Sequence, residues 1–116
     1  MLFEKPRGKP EKEGAQRAIV ALRADGWFVK RLNVSAGQYS TPGFPDYYAV
    51  HKFRKLWRWI EFKIRGGSLE LSQVELWTKW IEAGVHVYVI SDEKDIPLLY
   101  KPEGNWWQFC IRGKIR

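Results

Sequence analysis

Residues 56–64, LWRWIEFKI, form the stretch that decides the fold. Aromatic and β-branched side chains dominate it, which is typical of a β-strand. Successive side chains of a strand point to opposite faces, so Glu61 and Lys63 share one face with Trp57 and Trp59. The sequence therefore predicts a strand that carries a carboxylate and an ammonium group side by side on one face.

A second strand precedes this stretch and carries another carboxylate. Residues 44–50 indicate a strand, and Pro45 must lie at its start or at a bulge because it cannot donate a ladder hydrogen bond. The basic segment 51–55 is short enough to connect the two strands as a hairpin. We expect this hairpin to lay Asp46 beside Glu61.

Such a pair of carboxylates favours a bound cation. Neighbouring carboxylates repel each other unless a positive charge compensates them. Mg²⁺ takes oxygen ligands and needs only one or two carboxylates together with waters and substrate phosphates. We therefore expect a site for Mg²⁺, with Mn²⁺ as a substitute, in which Lys63 steadies the attacking hydroxide or the phosphate.

Other segments predict helices and strands around the hairpin. Residues 11–25 carry apolar side chains at helical spacing and end at Gly26, whereas residues 27–34 are typical of a strand. Residues 35–43 are rich in glycine and small polar residues and predict a loop. Loops of this kind often carry function.

The second half of the chain predicts a crossover helix. Ser72 and Glu75 have the spacing of a capping box, and Gly84 is a natural end for the helix that follows. Residues 85–90 form an apolar strand, and residues 97–100 predict a short edge strand. The element order α, β, β, β, α, β gives an α/β fold with a mixed four-stranded sheet flanked by helices.

Size and charge limit the class of protein. The chain has 116 residues, enough for one domain, here residues 11–116 after a flexible basic arm over residues 1–10. Its composition, 45% hydrophobic and 28% charged, is ordinary for a globular protein, and its net charge of +7 favours a polyanionic partner such as nucleic acid. No apolar run is long enough for a signal peptide or a membrane span. The lone Cys110 rules out an intramolecular disulfide, so an intracellular location is expected.

Three ordered motifs carry a resemblance to a known family. The motifs are Gly43-Phe44-Pro45-Asp46, Trp59-Ile60-Glu61-Phe62-Lys63 and Leu71-Ser72-Gln73, supported by Arg31, Asn33, Trp77 and Ala83-Gly84. The order of these motifs resembles the PD-(D/E)XK nuclease superfamily, and more narrowly its VRR-NUC branch, found in phage proteins and in a Fanconi-anaemia-associated DNA-repair nuclease. The resemblance covers residues 11–90.

The resemblance implies a restriction-endonuclease-like αβββαβ core and a metal-dependent DNA endonuclease, with junctions or flaps as candidate substrates. It implies that Asp46, Glu61 and the backbone carbonyl of Phe62 are metal ligands. It also implies that Lys63 is the catalytic lysine and that Gln73 orients water or substrate.

The family also uses a glutamate on its first helix, and this chain offers Glu11 and Glu13. Glu11 shares the apolar face of the helix and is preferred, although an acid near a helix N-terminus is also favoured by the helix dipole. Phe44 departs from the family, which often has a basic residue at that position. The basic residues expected to contact the DNA backbone are Arg31, Lys52, Arg54, Lys55 and Arg65.

Two other functions fit the same composition. One is a catalytically inactive DNA-binding module, against which the intact Asp46, Glu61 and Lys63 argue. The other is an RNA- or single-strand-binding domain with tryptophans as stacking platforms, which predicts exposed side chains at Trp57, Trp59 and Trp106. A homodimer joined through the tryptophan-rich C-terminus is a further expectation, and the sequence leaves the oligomeric state open.

Overall fold

Helices flank one four-stranded sheet. The structure is a computed structural model that describes residues 9–32 and 42–108, with side chains from Glu13 onward in the first range. The predicted order α, β, β, β, α, β is confirmed, and one further helix follows it. The elements are α1 (Lys9–Ala24), β1 (Trp27–Arg31), β2 (Tyr47–His51), β3 (Trp57–Phe62), α2 (Leu71–Glu82), β4 (Val87–Ile90) and the 3₁₀ helix η1 (Glu93–Tyr100).

The sheet is mixed, as its sequence pattern predicts. Its strand order is β1-β2-β3-β4; β1 and β2 are antiparallel, as are β2 and β3, whereas β3 and β4 are parallel. The hairpin fixes the register of β2 and β3, in which Tyr47 lies opposite Ile60. A parallel pair needs a crossover connection, and α2 supplies it. The chain therefore has an α/β fold.

Each face of the sheet has its own apolar core. On one face, α1 and η1 pack on Trp27, Ile60 and Phe62; on the other, α2 packs on Val87 and Val89. The predicted alternation along β3 is confirmed, since Ile60 and Phe62 belong to the α1 side. The opposite face of β3 therefore carries Glu61 under the start of α2.

The prediction of an edge strand over residues 97–100 is wrong. These residues lie in η1, where Ile96 and Leu99 are buried at the spacing of three that places side chains on one side of a 3₁₀ helix. The Asp92 side chain accepts a hydrogen bond from Lys94 N at 2.9 Å and starts this helix. Local capping and burial thus outweigh the strand preference of the sequence.

The predicted capping box of Ser72 and Glu75 is also wrong. The N-cap of α2 is Glu70, and Gln73 Oε1 accepts a hydrogen bond from Glu70 N at 2.9 Å. The helix ends as predicted, since Gly84 adopts a φ of 84° just beyond its last turn. The shift of two residues at the N-terminus changes the environment of Gln73, which lies in the first turn.

Several predicted features differ at their boundaries or lie outside the described residues. Helix α1 begins two residues before the predicted start, within the expected arm over residues 1–10. Residues 1–8, 33–41 and 109–116 are not described, so most of the arm, Asn33, most of the predicted loop and Cys110 lie outside the description. Within residues 9–32 and 42–108, no helix combines the length and apolar composition needed to cross a membrane.

The main-chain N–H and C=O groups of Val89, on the outer edge of β4, form hydrogen bonds with a side-chain amide. Asn105 Oδ1 accepts a hydrogen bond from Val89 N at 2.7 Å, and Asn105 Nδ2 donates to Val89 O at 3.0 Å. Both residues are buried, so these main-chain groups have no access to water in place of the amide. Asn105 therefore acts as a one-residue continuation of the sheet.

Replacing Asn105 should destabilise the domain. Asn105→Ala leaves the buried N–H and C=O of Val89 without partners, which costs about 2–4 kcal/mol in the free energy of unfolding. Urea denaturation measures this loss. Gln108→Ala, a change at an exposed amide, is the control, and equal stability of the two variants would contradict the assigned role of Asn105.

Candidate active site

The pairing of β2 with β3 brings Asp46 and Glu61 together. Because Tyr47 lies opposite Ile60, the next pair along the two chains is Asp46 and Glu61. The Asp46 N–H donates a hydrogen bond to Glu61 Oε1 at 3.3 Å. The juxtaposition expected from the hairpin is therefore present in the fold.

A polar cleft opens at this pair. It has a volume of about 410 Å³ and lies between the chain before β2, the end of β3 and the start of α2. The side chains predicted for catalysis converge on it from three separate elements. The residues that line the cleft are Gly43, Phe44, Asp46, Glu61, Lys63, Glu70 and Gln73.

Burial makes Glu61 an unusual carboxyl group. Only 5% of its surface is exposed. Burial, and secondly the charge of Asp46, raise the pKa of Glu61 from 4.5 to about 8, although Lys63 and a hydrogen bond from Gln73 act in the opposite direction. In the protein alone, Glu61 therefore holds a proton at neutral pH.

Gln73 links the start of α2 to this carboxyl group. Its side chain is buried, and its Oε1 is occupied by the Glu70 N–H. The remaining amide N–H groups are donors, and one of them serves the hydrogen bond with Glu61. The corrected cap of α2 thus fixes which end of the Gln73 amide faces the cleft.

The segment before β2 is held on α2 by main-chain contacts. Gly43 has a φ of 87°, and a Cβ at this position would lie 2.4 Å from Ser72 O. Gly43 O accepts a hydrogen bond from Trp77 Nε1 at 2.8 Å, and Pro45 is fully buried. Only glycine fits this approach, which sets the position of Asp46 three residues later.

Lys63 and Phe62 continue β3 into the cleft. The Lys63 N–H donates to Ile90 O at 3.1 Å, so pairing with β4 extends one residue beyond the strand. The partly exposed Lys63 side chain lines the cleft, whereas the Phe62 ring is buried on the opposite face against Tyr47. The Phe62 carbonyl as a metal ligand stays a prediction.

Of the two acids considered on the first helix, Glu13 is exposed on α1, and the side chain of Glu11 lies outside the description. The helix acid stays a prediction. Among the described side chains, no group of three or more histidine, cysteine, aspartate or glutamate residues is arranged to hold a metal ion. Glu70 also lines the cleft but was not predicted from the sequence. Its spacing of three from Gln73 fits a capping box, but glutamate is not a favoured N-cap residue.

Arg65 is already engaged by acidic side chains. Its Nη2 lies 3.1 Å from Asp92 Oδ1 and 3.1 Å from Asp95 Oδ2. The predicted role in guiding a DNA strand must therefore compete with two carboxylates. Arg65 fastens the end of β3 to the start of η1.

The other predicted DNA contacts lie around the β1–β2–β3 surface. Lys52 and Lys55 are exposed on the hairpin turn, and Arg31 is exposed at the end of β1. The Arg54 guanidinium stacks over the ring of Tyr100, 4.7 Å from its centroid. Four of the five predicted residues are thus exposed without an acidic partner among the described side chains.

The tryptophans divide between core and surface. Trp106 is buried, so the exposure predicted by the single-strand-binding alternative is wrong at that position. Trp59 is partly buried against Phe44 and Trp80, with ring centroids 5.4 and 5.6 Å away. Trp57 is 53% exposed, as that alternative predicts.

Gly43→Ala should displace Asp46. The added methyl group meets the Ser72 carbonyl and strains a positive φ, so we expect a loss of stability of about 1–3 kcal/mol. We also expect a loss of the DNA cleavage that the sequence predicts, because Asp46 is displaced. Thermal unfolding and a DNA cleavage assay measure the two effects. Gly84→Ala is the control, because Gly84 also has a φ of 84° but no neighbour within 4 Å; equal activity of the two variants would contradict the role of Gly43.

The stability of the metal-free protein should fall as pH rises. Between pH 4.5 and about 8, the unfolded chain has lost the Glu61 proton while the folded chain retains it. The folded state therefore binds more protons, and stability declines across this window by up to about 5 kcal/mol, because one pKa unit corresponds to about 1.4 kcal/mol. Glu61→Gln removes this component, so in chelator its stability relative to wild type should increase with pH. Parallel pH profiles of the two proteins in urea unfolding would contradict the assignment.

Comparisons with known proteins supply no relative. The chain matches no model of a protein family, no curated protein and no solved structure. The resemblance to the PD-(D/E)XK superfamily therefore rests on the ordered residues of this sequence. Asp46, Glu61, Lys63 and Gln73 carry it, and all four line one cleft.

Proposed function

We propose that this chain is a metal-dependent endonuclease that hydrolyses phosphodiester bonds in DNA, on a restriction-endonuclease-like core of the VRR-NUC type. One observation carries the proposal: the carboxyl groups of Asp46 and Glu61 line one cleft, held by a hydrogen bond from the Asp46 main-chain N–H to Glu61, and the cleft also contains an ammonium group and a buried amide. These four groups come from different elements. A salt bridge that only stabilised the fold would need one acid and one base, not two acids, an ammonium group and an amide.

The chemistry of the pair fits Mg²⁺ or Mn²⁺. Burial of Glu61 beside Asp46 raises the pKa of Glu61 so far that its charged form needs a further cation. A hard divalent ion satisfies this need with two carboxylates, and the cleft leaves space for waters and a phosphate. Asp46 and Glu61 would hold the ion, with the Phe62 carbonyl as a third ligand. When bound, the ion would polarise the phosphate and lower the pKa of a bound water.

Lys63 and Gln73 perform the part of the reaction that the chain itself supplies. The charge of the Lys63 ammonium group lowers the pKa of Glu61, and it would likewise stabilise negative charge on a phosphate bound at the acidic pair. Gln73 holds the Glu61 carboxyl group from the other side through an amide that α2 keeps in one orientation. Both side chains therefore favour a single geometry of the acidic pair.

The charge of the chain supports DNA as the polyanion. A net charge of +7 attracts a phosphate backbone without regard to sequence. Exposed cations border the sheet at both ends of the β2–β3 hairpin. At the cleft end, the described residues include Lys30 and Arg31 on β1, and Lys52, Arg54 and Lys55 lie on the hairpin turn at the opposite end.

Cleavage should require both the metal and the cleft residues. We expect Mg²⁺-dependent cutting of plasmid DNA that chelator abolishes, and a rate reduced about 10²–10³-fold or more in Glu61→Gln and in Lys63→Ala, because each removes a placed electrostatic group. Quantitative gel electrophoresis with Mg²⁺ or Mn²⁺ provides the measurement.

Matched controls come from the last turn of α2. Glu82→Gln and Lys79→Ala repeat the two changes at exposed positions and should retain most of the activity. If folded Lys63→Ala cuts DNA at the wild-type rate, the catalytic assignment is wrong. A folded wild-type protein that binds DNA and never cuts it would favour a non-catalytic DNA- or RNA-binding module.

A further inference from the structure

A row of apolar side chains lies exposed on the same sheet face as the cleft. Phe28 is 60% exposed, Val50 38% and Trp57 53%. They belong to three adjacent strands and lie opposite one another, since Phe28 pairs with Val50 and Val50 pairs with Trp57. We call these three residues, two of them aromatic and one aliphatic, the aromatic row. Helix α2 packs over the β4 side of this face and leaves the row uncovered.

The aromatic row leads directly to the acidic pair. Trp57 is four residues before Glu61 on β3, which corresponds to about 13 Å along the strand. Between them, the ring of Trp59 lies 5.7 Å from that of Trp57 and 5.4 Å from that of Phe44, which lines the cleft. A continuous series of rings therefore joins the exposed row to the site.

Resting on the proposed function, we propose that the aromatic row binds unpaired bases of the DNA substrate, a few nucleotides from the phosphate held at Asp46 and Glu61. Base stacking on aromatic side chains is the standard means of binding single strands without sequence preference. Lys30 lies in the next row along β1, opposite Tyr48, and is exposed, so a cation for the backbone is adjacent to the stacking surface. The substrate class is then DNA with a single-stranded segment.

Charge and area favour a nucleic acid over a second copy of this chain. Two copies would each bring a net charge of +7, which opposes their association and attracts a polyanion. The three exposed side chains offer on the order of 300 Å² of apolar surface. A standard protein interface buries roughly 800 Å² on each partner.

The test measures binding in chelator, where cleavage plays no part. Fluorescence anisotropy compares a thymidine oligonucleotide of about 12 residues with an abasic strand of equal length at one salt concentration. Trp57→Ala should weaken binding of the thymidine strand about 5- to 100-fold and leave the abasic strand unaffected, because only the former has bases to stack. Trp57→Phe should restore most of the affinity.

The chain provides a control and a second variant. Phe53 is 79% exposed on the hairpin turn, but its ring packs against His51, which lies on the α1 side with Trp27. Phe53→Ala should therefore bind both strands like wild type. Phe28→Ala should repeat the loss selectively, and it replaces Trp57→Ala if that variant does not fold.

Three results would overturn the inference: unchanged affinity of Trp57→Ala for the thymidine strand, an equal loss for both strands, or a wild-type dimer that Trp57→Ala converts to a monomer in sedimentation. Failure of the proposed nuclease function looks different. In that case the selective loss of binding persists in chelator, but wild type with Mg²⁺ cuts no DNA.

Discussion

Glu61 lies at the end of β3 with almost no exposure to solvent, and Asp46 lines the same cleft. Placing two acids together away from water is unfavourable for the charged form, and the raised pKa of Glu61 expresses this cost. The surrounding fold maintains the arrangement. The β2–β3 register supplies the second acid, and the main-chain hydrogen bond from Asp46 fixes the Glu61 carboxyl group. The other features of the cleft follow from this pair.

Helix α2 holds the pair through contacts at its first two turns. Gln73 uses its oxygen for the helix cap and its amide for Glu61. Trp77, one turn later, donates to Gly43 O and anchors the chain that leads to Asp46. Helix α2 thus contacts both Glu61 and the segment that leads to Asp46, so a change in its packing alters the geometry of the acidic pair. This coupling explains why residues without charge, Gly43 above all, belong to the site.

Sequence patterns predict the sheet and the pairing of Asp46 with Glu61. They do not predict the start of α2, the helix η1 or the ion pairs of Arg65. Alternation in residues 56–64 identifies the face of Glu61, and hairpin spacing places Asp46 next to it, because both are local properties of strands. The start of α2 was predicted two residues late, since Ser72 has a higher N-cap preference than Glu70 and tertiary contacts decide between them. The replacement of a strand by η1 depends on burial of Ile96 and Leu99 against distant elements. The pairing of Arg65 with Asp92 and Asp95 likewise joins residues far apart in sequence.

We propose that Asp46 and Glu61 form one cation site whose charge is incomplete without the ion. Calorimetric titration of the protein with Mn²⁺ near neutral pH, repeated in buffers with different heats of ionisation, counts the protons released on binding. Because Glu61 holds a proton in the metal-free protein, we expect release of close to one proton per bound ion, and weaker binding without this release in Glu61→Gln. Binding of Mn²⁺ without proton release, or no binding by the folded protein, would contradict it.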